Sequence, residues 1–288
     1  MRKKAGFSLL VITLSASIIF YSCQKTIDKL PASEEISTGA NLSENRGVTP
    51  YKFERTNKHN FSSKGWREEQ VSNINGVQIF SDESDYIEIV CGPENNSDPR
   101  LIQGSITINL PTSADPTLRR ILLHKGGYSG TLLADLTELK YSTYVIQNAP
   151  ANFVLQVDVN GDESNDFNIF YDPRPDYQED KSHPLELNKW QQWDALAGTW
   201  HINSPRVTIP GSLIDGCSLA QLIEAFPNAR IIDIPPVRGA AEGIRFAIGG
   251  MPRSLFDNTV GYLDALIIGT KNQQHPTLFD FTCNQGNN

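Results

Sequence analysis

LKYSTYVIQNAPANFVLQVDVNGDESNDFNIFYDP, Leu139 to Pro173, decides the fold class. Two runs rich in β-branched and aromatic residues, Tyr141 to Ile146 and Phe153 to Asp158, are separated by Asn148-Ala149-Pro150. A third, Phe167 to Tyr171, follows the polar knot from Asn160 to Asp166. Such side chains suit a pleated, half-buried surface, and Asn, Asp, Gly and Pro between them form turns. The stretch therefore predicts consecutive antiparallel strands.

The same signals continue on both sides. Val71 to Phe80 carries Asn75-Gly76, a hairpin dipeptide. Tyr86 to Cys91 alternates and ends at Gly92-Pro93, and Ser105 to Leu110 places Ile106, Ile108 and Leu110 on one face. Arg120 to His124 reads as a short strand, and Leu132 to Leu139 as strand or loop. Trp190 to Trp200 is expected to hold one more strand, turning at Ala197-Gly198. Arg230 to Ile234, Ile244 to Ile248, Gly261 to Ile268 and Leu278 to Phe281 complete the series. One short helix is expected near 218–226. Leu219, Leu222, Ile223 and Phe226 form its apolar stripe, Ser218 and Gln221 its capping box, and Pro227-Asn228 its end. About ten to twelve strands with one helix predict an all-β protein, an antiparallel two-sheet β-sandwich.

A chain of 288 residues leaves room for one large domain with appendages, and 39% hydrophobic residues can bury a full core. The net charge of -8 argues against nucleic acid, because neutralising phosphates supplies most of that affinity.

Arg2, Lys3 and Lys4 precede an uncharged apolar run from Phe7 to Tyr21, too short to span a bilayer comfortably. This is the pattern of a secretory signal. Ile18-Ile19-Phe20-Tyr21-Ser22-Cys23 resembles a bacterial lipoprotein signal, in the loose form found in the Bacteroidetes. That resemblance implies lipidation of Cys23 after loss of residues 1–22 and membrane attachment through the lipid. Gln24 after the cysteine implies the outer membrane, with the domain periplasmic or surface-facing. Residues 23–59 are poor in large apolar side chains and read as a flexible tether, which leaves 60–288 as the sandwich domain.

Taken in order, GPENNSDPRLIQGSITI, GTLLADLTELKYSTY, LQVDVNG, WQQWDALAGTWH, SLAQLIEAFPNARI and GYLDALIIG resemble an uncharacterised group of exported bacterial β-sandwich domains. The closing GYLDALIIG and LFDF also resemble the last strands of jelly-roll lectins and carbohydrate-binding modules. The resemblance implies a jelly roll and extracellular recognition, and carries over no catalytic residue. First and last strands are neighbours in many jelly rolls, so it also implies a Cys91–Cys283 disulfide among Cys91, Cys217 and Cys283. Export permits such a bond, and the odd count leaves one thiol free.

Two sets of residues are candidates for ligands. Asp158, Asp162 and Asp166 could hold calcium, since Asp158-Val159-Asn160-Gly161-Asp162 resembles the start of an EF-hand loop. Ile169 stands where that loop needs a bidentate carboxylate, so a solvated hairpin loop is the competing reading. Trp190, Trp193 and Trp200 could offer ring faces to a sugar, although Trp193 differs in strand parity from the other two. Asp264 and Asp280 are candidates for ligand binding or for anchoring a turn. Neither the scattered histidines nor the acidic pairs make a catalytic motif. The expected function is non-catalytic binding of carbohydrate or another surface ligand. The alternatives are a glycan hydrolase or lyase on the same scaffold, and a structural envelope protein with no small ligand.

Overall fold

A computed structural model of the chain describes residues 51–74, 77–81, 86–93, 101, 103–110, 118–233, 243–249 and 258–283. The expected export signal, Cys23 and the tether as far as residue 50 lie outside them. The chain opens with β1 (Lys52–Thr56), β2 (Trp66–Ile74), β3 (Val77–Ser81), β4 (Ile87–Val90), β5 (Ser105–Leu110) and β6 (Leu118–Lys125). The stretch first quoted becomes β7 (Leu136–Gln147), β8 (Asn152–Asp158) and β9 (Phe167–Tyr171). Then come β10 (Trp190–Asp194), β11 (Thr199–Asn203), β12 (Cys217–Ser218), helix α1 (Leu219–Ala225) and β13 (Arg230–Ile231). β14 (Ile244–Gly249), β15 (Thr259–Thr270) and β16 (Thr277–Phe281) close the series.

These strands make two sheets. The seven-stranded sheet runs β1-β16-β15-β5-β4, with β7 on the other side of β15 and β10 beyond it. The nine-stranded sheet runs β12-β11-β9-β8-β14-β6-β2-β3, with β13 on β8. The architecture is the expected all-β two-sheet sandwich. Strand pairs are antiparallel except that β1 runs parallel to β16.

The quoted stretch is not one meander. β8 and β9 pair with each other, but β7 belongs to the opposite sheet. Asn148, with φ of 76°, begins the crossing between them. The reason lies in the core. Tyr141 of β7 and Phe153 of β8 stack at 5.7 Å between centroids, and Phe246 and Trp200 close around Phe153 at 5.1 and 6.2 Å. β7 buries the face that carries Tyr141 and β8 the face that carries Phe153, and packing those two faces against each other requires opposite sheets. For the same reason the single strand expected in Trp190 to Trp200 is two. β10 lies in the seven-stranded sheet and β11 in the nine-stranded one, joined through Ala195 to Gly198.

Other expectations change in detail. Leu133–Asp135 is a 3₁₀ turn leading into β7, and the strand expected over Arg230 to Ile234 stops at Ile231. The expected boundary at residue 60 is too late. β1 starts at Lys52 and pairs along β16, so the last part of the expected tether is a strand of the sheet. The helix forms as expected: the Ser218 hydroxyl accepts the Gln221 N–H and the Gln221 side chain accepts the Ser218 N–H, while Leu219 and Leu222 are buried. Cys91 and Cys283 are joined in a disulfide, and Cys217 is a buried free thiol. At the other end of the core, Trp66 packs edge-on against Phe279 and Phe281, centroids 5.8 and 4.8 Å away. Lys125 Nζ lies 5.0 Å from the Phe279 ring and donates to the Lys64 carbonyl at 2.8 Å.

Candidate ligand-binding face

Strand parity decides which aromatic residues can meet a ligand. Trp193 points into the core, and its Nε1–H donates to Thr143 Oγ1 at 2.7 Å. Trp200 is also fully buried, with Nε1–H donating to the Ala195 carbonyl at 2.8 Å. Both are therefore structural tryptophans, and the expected platform of Trp190, Trp193 and Trp200 does not exist. The physical reason is that a buried indole needs one hydrogen-bond acceptor, and each has found one inside the sandwich.

Trp190 is different. It is three residues from Trp193, so it lies on the outer face of the seven-stranded sheet and is only part-buried. Its register partner on β7 is Tyr144, and that of Tyr144 on β15 is Tyr262. The three rings thus form a row across β10, β7 and β15. Ring centroids are 5.7 Å apart for Trp190–Tyr144 and 5.9 Å for Tyr144–Tyr262, with planes inclined at 60° and 74°. Thr107 of β5 and Glu88 of β4 continue the row. Gln192 and Ser142 lie two residues along β10 and β7 from Trp190 and Tyr144, on the same face. Ile146, two residues beyond Tyr144, and Leu187 nearby are both exposed. An apolar patch rimmed by polar groups marks a surface that meets something other than water.

Sequence reasoning found Trp190 and missed both tyrosines. A signal was present. In Tyr141-Ser142-Thr143-Tyr144 the two tyrosines have opposite parity, so when one enters the core the other must face out. Pairing Tyr144 with Trp190 and Tyr262 needed the register.

The three aspartates do not converge on an ion. Asp158 is buried, and its Oδ1 accepts the N–H groups of Asn160 and Gly161 at 3.0 and 2.6 Å. Its Oδ2 accepts the Glu163 N–H at 3.1 Å. Asp166 Oδ2 accepts the Val159 N–H at 2.8 Å. Asp162 faces solvent, and hydrogen bonds from the Ser164 hydroxyl and N–H hold its carboxyl below the ordinary range. Backbone dipoles therefore do the work a cation would do, and no group of three or more His, Cys, Asp or Glu among the described residues could hold a metal. The loop is held by its own side-chain-to-backbone hydrogen bonds, as in the competing reading of a hairpin loop.

Asp264 and Asp280 are both buried near the junction of β15 and β16. Asp264 sits at a bulge, where the register of β15 on β7 shifts and Ala265 takes a φ of 53°. Its Oδ1 accepts the Phe281 N–H at 3.2 Å, which ties the bulge to the last strand. Asp280 Oδ2 lies 3.6 Å from Arg55 Nε of β1.

Compared with known proteins, the chain matches no family model, no curated protein and no solved structure.

Proposed function

We propose that this protein is a non-catalytic binding module which takes carbohydrate on the outer face of the seven-stranded sheet. The observation that carries the reading is the register-aligned row Trp190–Tyr144–Tyr262. A sugar ring presents C–H groups on one face and hydroxyls around its edge. Part-buried aromatic rings match the first, and the tyrosine hydroxyls, with Ser142 and Gln192 beside them, match the second. Adjacent strands are about 4.8 Å apart, so the row is about 10 Å long, which suits two sugar units. Its rings are steeply inclined to one another, which favours a chain that turns from unit to unit over a flat crystalline polymer.

The export signal and Cys23 belong to the same reading: a lipid anchor at the outer membrane would hold the module where polysaccharide is met. The test is a glycan array probed with the full chain, repeated with Tyr144→Ala and Tyr262→Ala. Binding to one class of oligosaccharide, reduced at least tenfold in both variants, is expected. Binding that both variants retain would remove the row from the account, and no binding to any glycan would favour a structural envelope protein. New reducing ends or unsaturated products from a polysaccharide panel would make it a hydrolase or lyase.

A further inference from the structure

The outer face of the other sheet carries a separate constellation. Arg67 of β2, His124 of β6 and Arg245 of β14 are cross-strand partners in one row. Glu69 and Arg120 project from the same face, two residues from Arg67 and four from His124 along their strands. Three arginines on three neighbouring strands thus share a face with one carboxylate, which Arg67 approaches closely and whose charge acts on Arg120 and Arg245. Glu69 is 1% exposed, with Oε2 3.5 Å from Arg67 Nη2 and Oε1 3.9 Å from His124 Nε2. His124 is fully buried, while Arg67, Arg120 and Arg245 each keep part of their surface in solvent.

Burial pushes Arg245 down to about 10, the like charge of Arg120 adds to this, and Glu69 opposes it. Burial lowers Arg120 too, against the pull of Glu69. Arg245 Nε is shut off from solvent without a hydrogen-bond partner. On the neighbouring strand Asn152 and Gln156 flank Val154, the partner of Arg245. Gln156 is 5% exposed, and the side-chain oxygens of both amides are buried with no donor. A buried cation or amide without a partner is costly, and a site built to bind is where such groups are kept.

We propose that Arg67, Arg120 and Arg245 form an oxoanion subsite on the outer face of the nine-stranded sheet, which takes the carboxylate or sulfate group of an acidic sugar. Guanidinium groups present paired N–H donors that match the two oxygens of such a group. Glu69 lies against Arg67 and His124 on the same face. The site stands on a different sheet from the aromatic row, and only the choice of a sugar as bearer of the charged group rests on the proposed function.

Calorimetric titration of the full chain with galactose, galacturonate and sulfated galactose trisaccharides tests this. A charged trisaccharide should bind at least tenfold more tightly than the neutral one, and the two charged probes distinguish carboxylate from sulfate as the preferred group. Arg245→Gln and Arg120→Gln should each lose that preference by tenfold or more. Tyr144→Ala should weaken the neutral probe while the affinity of the charged probe at the arginines stays as in the original chain, so failure of the aromatic row and failure of this subsite are read separately. Arg245→Met serves as the folding control. Removing a part-buried cation that Arg120 repels should keep the melting temperature near the original while abolishing the preference. Equal affinity for charged and neutral probes, or arginine variants that bind like the original chain, would overturn the proposal.

Discussion

Asp158 illustrates how one side chain organises a loop that resembles a metal site. Its two oxygens take three backbone N–H groups from Asn160, Gly161 and Glu163. Gly161 completes the turn with φ of 81°, and a Cβ there would meet Arg230 Nη2 at 3.1 Å. A carboxylate in this state is already satisfied, so added calcium has little to gain. Melting temperatures measured with calcium and with chelator are expected to coincide. Asp158→Ala should cost about 1–3 kcal/mol, because three donors lose their acceptor at once, and denaturant titration measures it. The aspartate-and-glycine pattern was legible in the sequence. Its meaning was not, because turn-forming and metal-binding loops draw on the same residues, and only the direction of each carboxylate separates them.

At the scale of elements, alternation identified most strands and assigned their buried faces. Ile106, Ile108 and Leu110 are all inside, as their spacing implies. Ser218 caps the helix as its position before the apolar stripe requires. Partnership was harder to read. An alternating strand specifies which face it buries, not which strand it lies beside, so the break after β7 read as a turn within one sheet when it is a crossing between two. The disulfide acts at this scale. It joins the end of β4 to the end of β16, 192 residues apart in sequence, across two branches that both leave β15. Closing so long a loop restricts the unfolded chain strongly. Replacing both Cys91 and Cys283 by Ser should lower stability by about 2–5 kcal/mol, checked by denaturant unfolding. Cys217, buried and with its thiol raised by that burial, should react with a thiol reagent only after unfolding.

For the whole molecule, β1 is the least expected part. KFERT has charged residues at three of its five positions and lies in a stretch of tether-like composition. It nevertheless covers the edge of β16, with Phe53 packed on the outer cluster of Ala265, Ile267 and Leu278. The Thr282 N–H donates to the Thr56 carbonyl at 2.7 Å, which extends the pairing past the strand end. A chain starting at residue 57 would leave β16 as an open edge and uncover Leu278. It should be less stable by about 2–3 kcal/mol and more prone to associate through that edge. Denaturant unfolding and light scattering measure the two effects.

The sequence by itself determined that the described part of the chain is all-β, which side of most strands is buried, and where helix α1 starts. Those properties follow from the local periodicity of side chains along a strand or helix, so they can be read residue by residue. Only the tertiary structure decided which strands share a sheet, that Trp190 joins Tyr144 and Tyr262 while Trp193 and Trp200 belong to the core, and that three arginines converge around Glu69. Each of these depends on register between segments tens to more than a hundred residues apart, and register is set by how two whole faces pack, not by any short stretch of chain.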